Sequence, residues 1–304
     1  MPVAPVDPNQ PRATMADGPD PASAYASSDA LRRRPPHPGG DISDPAVLQS
    51  ALQARAYRGE IILFAFNFCA ISDALALVAT LRRASFEHFL PFTDGPSTCD
   101  AMVSLAAVGG GLRGRPRQPP PPPCYWSSWP GNHTGWQYWG TRPSCVSGDQ
   151  GGRRPCVLEQ LWLSRYQAAA LLLGAGVNVL HVDTDMALLR DPYLALQAPP
   201  LSDYALIVLP EKPVNGGLWY GRATQRGHGA HWVMEEVVRR TVRVLELVPQ
   251  RGRKGLPPFD QATSHDLPPP RQSRQDLTSS PSAQAMLGDV LHTGAEGGRE
   301  VRSG

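Results

Sequence analysis

Asn178-Val-Leu-His-Val-Asp-Thr-Asp-Met-Ala-Leu-Leu-Arg-Asp-Pro192 runs an apolar, β-branched segment straight into two aspartates separated by one residue. Val177, Val179, Leu180 and Val182 read as a buried strand, and the change to Asp183 and Asp185 marks its carboxyl end. Open α/β sheets bind their ligands at that edge. Residues two apart on an extended strand face the same side, so this spacing presents both carboxylates to one metal, or to one metal and a ribose hydroxyl. Carboxylate oxygens suit Mn2+ or Mg2+, ions that keep coordination positions for substrate phosphates. An Asp-x-Asp also occurs in solvated turns, so its surroundings decide its weight.

Upstream, Cys156 to about Gly174 places Leu158, Leu161, Trp162, Tyr166, Ala169, Ala170 and Leu173 at helical spacing, with Gly174 and Gly176 ending the helix. Further back, Glu60-Ile-Ile-Leu-Phe-Ala-Phe66 reads as a buried strand closed by Asn67. Ser72 or Asp73 then caps a helix to about Ala84, and Glu87-His-Phe-Leu-Pro-Phe92 forms a second strand closing in Thr93-Asp-Gly95. Strand, helix, strand is the unit of a parallel sheet. A helix from Thr98 to about Val108 follows. Downstream, Ser202 to Leu209 and Gly217 to Tyr220 read as strands and His231 to about Val248 as a helix. The expected class is α/β, a mostly parallel sheet flanked by helices.

The 33 prolines and 29 glycines of this 304-residue chain concentrate in stretches that cannot build a packed core. They divide it into a disordered segment 1–55, a folded domain 56–262 interrupted by a Pro/Trp/Gly-rich insert 109–155, and a low-complexity tail 263–304. A net charge of +2 without a long basic block implies no nucleic-acid partner. No apolar run has the length of a membrane span, and no signal peptide or anchor is visible. Cys69, Cys99, Cys124, Cys145 and Cys156 show no zinc-like spacing. Cys124, Cys145 and Cys156 bracket the Trp-rich insert, which leaves two readings, a disulfide stapling that loop or unrelated thiols. Asn132-His-Thr134 in the same insert is a glycosylation sequon.

Other candidates each carry a structural alternative. Asn215-Gly-Gly217 permits close backbone approach to a ligand, but Asn-Gly is also a strong hairpin signal. Asp94 stands where a nucleotide is read, or simply forms an Asp-Gly turn. Asp191 before Pro192 reads as an Asx-type turn. Asp260 and Gln261 follow the last helix in a polar segment suited to an acceptor site or to a solvated loop. His292 in the tail reads as exposed rather than as a late metal ligand. Trp136 and Trp139, with Trp126, Trp129, Tyr125 and Tyr138, either stack on sugar rings or anchor the insert.

The order of these features, with Leu161-Trp-Leu-Ser-Arg-Tyr166, Val179-Leu-His-Val-Asp-Thr-Asp185 and Val214-Asn-Gly-Gly-Leu-Trp-Tyr220, resembles the nucleotide-diphospho-sugar transferase family of plants and green algae. The resemblance covers about Ile61 to Gln261. It implies a GT-A type, Rossmann-like fold and a metal-dependent, retaining glycosyltransferase. Such an enzyme moves a pentose or galactose from a nucleotide-sugar donor to a cell-wall glycan or glycoprotein acceptor in the Golgi or secretory pathway. Carried over residue by residue, Asp185 binds Mn2+ or Mg2+ directly, Asp183 contacts the metal or the donor ribose, and Asn215, Gly216 and Gly217 line the donor sugar, with Asp94 placed in the donor site by its position at a strand end. Two other classes stay open. Low complexity after Gln261 and the aromatic insert suggest a noncatalytic or degenerate transferase-like glycan-binding protein, and a metal-dependent nucleotidyltransferase uses the same aspartate geometry.

Overall fold

A computed structural model describes residues 37–108, 120–129, 157–209 and 215–251. Its centre is β2 (Glu60–Phe66), whose alternate side chains enter two different cores. Ile61 and Leu63 pack with α4 (Val157–Gly174) and α6 (Gly229–Arg251), through Tyr166, Ala169, Val233 and Met234. Ile62, Phe64 and Phe66 pack with α2 (Ile71–Arg83) and α3 (Pro96–Val108), through Leu77, Val78, Leu81 and Met102. Each such side chain removed from water stabilises the fold by about 1.5–3 kcal/mol, which is why an uninterrupted apolar run makes a strand covered on both faces.

The sheet has seven strands in the order β1-β4-β3-β2-β5-β7-β6, where β1 is Gly40–Asp41, β3 Phe89–Thr93, β4 Tyr125–Trp126, β5 Asn178–Val182, β6 Leu206–Leu209 and β7 Asn215–Gly221. Neighbours from β1 to β5 are parallel, whereas β7 is antiparallel to both β5 and β6. The expected α/β class with a mostly parallel sheet and flanking helices is therefore what the chain adopts. From β2 the chain builds outward through β3 and β4, then returns by α4 to add β5 on the other side of β2. The topological switch point lies between β2 and β5.

The turn out of α4 shows how local chemistry sets this return. Val177 N donates to Leu172 O at 3.1 Å and Gly176 N to Leu173 O at 3.0 Å, with Gly176 at φ +86°. This is the Schellman arrangement, and it requires glycine at the left-handed position. It delivers Val177 directly into β5.

Two boundaries differ from the sequence expectation. The segment 1–55 was expected to be disordered, yet β1 and α1 (Pro45–Arg55) lie within it and Ile42 and Ala51 are buried. Asp44 caps α1 by accepting from Ala46 N at 2.8 Å, proline occupies the first turn, and Leu48 and Leu52 face the core. The expected insert 109–155 contributes β4, with Tyr125 buried and paired to Gly40 and Phe92. A disulfide between Cys99 and Cys124 ties α3 to the start of β4, so Cys124 does not staple the Trp-rich insert to itself. Cys69 is disulfide-bonded as well. At Gly39, φ is +89° and a Cβ would lie 1.8 Å from Cys124 O, so β1 reaches β4 only through glycine.

Among the described residues no helix is long and apolar enough to cross a membrane.

Candidate functional site

Because β7 runs against β5, its amino end lies at the same edge of the sheet as the carboxyl end of β5. Val182 pairs with Leu218, and Asp183 N donates to Gly217 O at 2.7 Å. Asp183 and Gly216-Gly217, distant in sequence, are thus adjacent beside the switch point. Asn215 and its two glycines are not the hairpin turn considered for them; they open β7, with Asn215 paired to Leu209 across an irregularity in register. Gly216 and Gly217 are buried, and Gly217 puts backbone, not side chain, beside Asp183.

The expected reason for the two carboxylates to share a side needs correction. The strand stops at Val182, and Asp183 to Met186 form a tight turn closed by Met186 N to Asp183 O at 3.2 Å. Asp183 continues the alternation of Val179 and His181 and points toward α4, while the turn carries Asp185 to an exposed position. The same segment then crosses the face of the sheet to its amino edge. Met186 and Leu188 pack on the core beneath it, Asp191 forms the expected Asx turn by accepting from Tyr193 N at 2.9 Å, and α5 (Tyr193–Leu196) follows. Tyr193 is pinned by its hydroxyl, 3.0 Å from Nε2 of the buried His88.

Two residues not singled out from the sequence complete the site. Arg165, with 5% of its side chain exposed, donates from Nη1 to Asp183 Oδ1 at 2.9 Å. His181, fully buried and stacked on Trp219 at 5.2 Å between ring centroids, places Nε2 3.3 Å from the same oxygen. Burial, with the Arg165 guanidinium adding to it, holds the His181 imidazole below its ordinary range even though Asp183 favours the charged form. For Asp183 burial works against ionisation, but the His181 hydrogen bond and the Arg165 charge outweigh it and hold the carboxyl at about 2. A signal for Arg165 existed. It lies four residues from both Leu161 and Ala169, on the buried face of α4, where an arginine is found only with a partner.

Asp94 follows the last residue of β3 and accepts from Thr93 Oγ1 at 2.9 Å. β3 and β5 flank β2, so the two strand ends are separated by two strand spacings, roughly 10 Å. Trp136, Trp139, Asp260, Gln261 and His292 lie outside the described residues.

Among the described residues no group of three or more His, Cys, Asp or Glu side chains forms a metal cage. The donors present are the exposed Asp185 carboxylate and the 39%-exposed Asp183, whose Oδ1 is taken by Arg165 and His181. One or two carboxylates with the remaining positions filled by phosphate and water is the donor set that suits Mg2+ or Mn2+. The residues therefore fit a hard divalent cation held jointly with a phosphorylated ligand.

The opposite edge of the sheet carries a second polar cluster. Glu60 Oε1 accepts from Asn178 Nδ2, Gln197 Nε2 and Tyr220 OH, each at 2.9 Å. Arg222 donates to Gln197 Oε1 at 2.8 Å and to the carbonyl of Leu196. This network fastens α5 and the amino ends of β2 and β5 together, and burial raises the Glu60 carboxyl above its ordinary value.

No protein-family model matches this chain, and neither a curated protein nor a solved structure matches it.

Proposed function

We propose that this protein is a metal-dependent glycosyltransferase of GT-A type that takes a nucleotide-diphosphate sugar as donor. The observation that carries this reading is the meeting of Asp183-Thr-Asp185 with the backbone of Gly216-Gly217 at the carboxyl edge, beside the switch point. A diphosphate needs hard-cation ligands, which Asp183-Thr-Asp185 supplies, and the Gly217 carbonyl holds that turn in place at the ligand-binding edge.

In this reading Asp185 holds the cation, Asp183 offers its second oxygen to the cation or to a ribose hydroxyl, and Asp94, about two strand spacings away, borders the nucleoside. The cation, when bound, supplies Lewis-acid stabilisation of the departing diphosphate. The buried Arg165 and His181 keep Asp183 ionised, so it stays an acceptor throughout. The resemblance to the plant and algal family points to a pentose or galactose, to retention of configuration, and to a cell-wall glycan or glycoprotein acceptor. The buried Cys99–Cys124 disulfide supports folding in an oxidising compartment, in keeping with a secretory or Golgi location.

The test is release of nucleoside diphosphate from a panel of nucleotide sugars by the full chain with Mn2+. Slow donor hydrolysis with one donor, abolished by chelator, supports the reading. Pyrophosphate release from a nucleoside triphosphate and a sugar phosphate instead identifies a nucleotidyltransferase. Glycan binding unchanged in Asp185→Ala, with no donor turnover, identifies a binding protein.

A further inference from the structure

Asp183 is held from behind by two buried groups. Arg165 comes from the middle of α4 and His181 from two residues earlier on β5, and both address Oδ1. Arg165 Nη1 and His181 Nε2 are themselves 3.4 Å apart, so the three side chains form a closed triangle. Trp219 on β7 stacks against the imidazole at an interplanar angle of 20°, and Tyr166 lies under the guanidinium at 5.2 Å. Neither Arg165 nor His181 has freedom to follow a moving carboxylate, because both sit in close-packed interior. The arrangement is out of proportion to a turn aspartate that merely faces solvent. Burying a guanidinium is costly unless it is paired, and this one is paired to the partly exposed member of an Asp-x-Asp motif.

We infer that Arg165 and His181 are positioning residues, which clamp Asp183 by one oxygen so that its other oxygen is presented at a fixed angle to the metal–diphosphate ligand. The inference rests on the proposed reading of the site and extends it to residues that make no contact with donor or metal. Partners of this kind orient a ligating group and typically change affinity by about 10–100-fold when removed. Lysine at position 165 keeps the charge and one donor, so it retains part of the clamp, whereas methionine keeps only the bulk.

The experiment measures binding of Mn2+ together with UDP, GDP, ADP or CDP to the full chain by calorimetric titration. Wild type is compared with Arg165→Met, Arg165→Lys, His181→Gln, Asp183→Asn and the double variant Arg165→Met/Asp183→Asn. Arg165→Met is expected to weaken binding about tenfold or more and Arg165→Lys to recover part of that loss. The double variant is expected to bind no worse than Asp183→Asn alone, because Arg165 acts through Asp183. Losses that multiply in the double variant, or wild-type binding by Arg165→Met, overturn the inference. If Arg165→Met does not fold, Arg165→Lys and His181→Gln, each combined with Asp183→Asn, decide the same question. If wild type binds none of the four diphosphates with Mn2+, the functional reading falls. The clamp is then judged on crystal structures without ligand of wild type and Arg165→Met, or of His181→Leu where Arg165→Met does not fold. An Asp183 carboxylate that changes rotamer upholds it, and one that stays in place overturns it.

Discussion

Asp183 N and Gly217 O, 2.7 Å apart, join the end of β5 to the beginning of β7. That single backbone bond fixes where the aspartate turn sits relative to the glycine pair, and it belongs to an antiparallel ladder whose next pairing is Val182 with Leu218. The carboxylates are thus carried on a frame and not on a free loop.

Asp185 is exposed and lies on the turn, outside both cores, so its substitution should separate function from folding. Asp185→Ala is expected to lower Mn2+-dependent donor turnover by at least about a hundredfold, since metal stabilisation of a leaving group is worth several kcal/mol. Thermal unfolding should move little, as for surface changes generally. A large fall in melting temperature, or undiminished turnover, would remove Asp185 from the metal site.

Acid sensitivity should have an identifiable window at Asp183. Its folded-state carboxyl is depressed to about 2 from an ordinary 3.8, so the stability it contributes is present above 3.8 and is lost as pH falls toward 2. Asp183→Asn should therefore flatten the acid limb of the stability curve between those values while leaving the neutral region parallel to wild type. Urea midpoints measured across that range check it, and parallel curves down to pH 2 would refute it.

Glu60 has the opposite sign. Burial raises its carboxyl, so its favourable contribution is full below the ordinary value of 4.5 and is lost as pH rises through the folded-state value. Glu60→Gln keeps the oxygen that accepts from Asn178, Gln197 and Tyr220, and is expected to gain stability relative to wild type as pH increases from 4.5 to neutrality. Tyr220→Phe, which removes a donor to that carboxylate, should cost about 1.5–3 kcal/mol at neutral pH. Equilibrium denaturation of both variants at two pH values settles the point, and a pH-independent difference for Glu60→Gln would contradict it.

The Cys99–Cys124 disulfide closes a separation of 25 residues and secures a strand of only two residues. Cys99→Ser with Cys124→Ser should lower stability by about 3 kcal/mol, and reductant should affect wild type more than this variant. Equal responses to reductant would show that the bond carries no stability.

What could be read in advance follows from periodicity. β2, β5 and the helices α2, α4 and α6 are long enough for their apolar spacing to identify them, and Gly174 and Gly176 announced the turn between α4 and β5. β1 and β4 have two residues each, too few for any alternation, and their places depend on pairing with β3 and on the Cys99–Cys124 bond. The Asp44-Pro45 pair is a legible start for α1, masked by the proline and glycine that dominate the preceding residues. At the site, the Asp183–Asp185 pair and Gly216-Gly217 were recognisable, but their adjacency arises from the antiparallel direction of β7. Arg165 carries a signal in its place on the buried face of α4, but that it and His181 both meet Asp183 is a matter of which buried face they share.

The strap from Asp183 to Gln197 crosses from one edge of the sheet to the other and is fastened there to Glu60 and Tyr220. The contacts that define the candidate site therefore join residues 165, 183 and 217, and those that hold the strap join 60, 197 and 220. Contacts between residues this far apart in sequence carry a loop-closure cost that a local turn does not. The aspartate turn is consequently a product of the completed fold. A short peptide carrying Asp183-Thr-Asp185 lacks Arg165 and Gly217, the two partners that hold the turn in place.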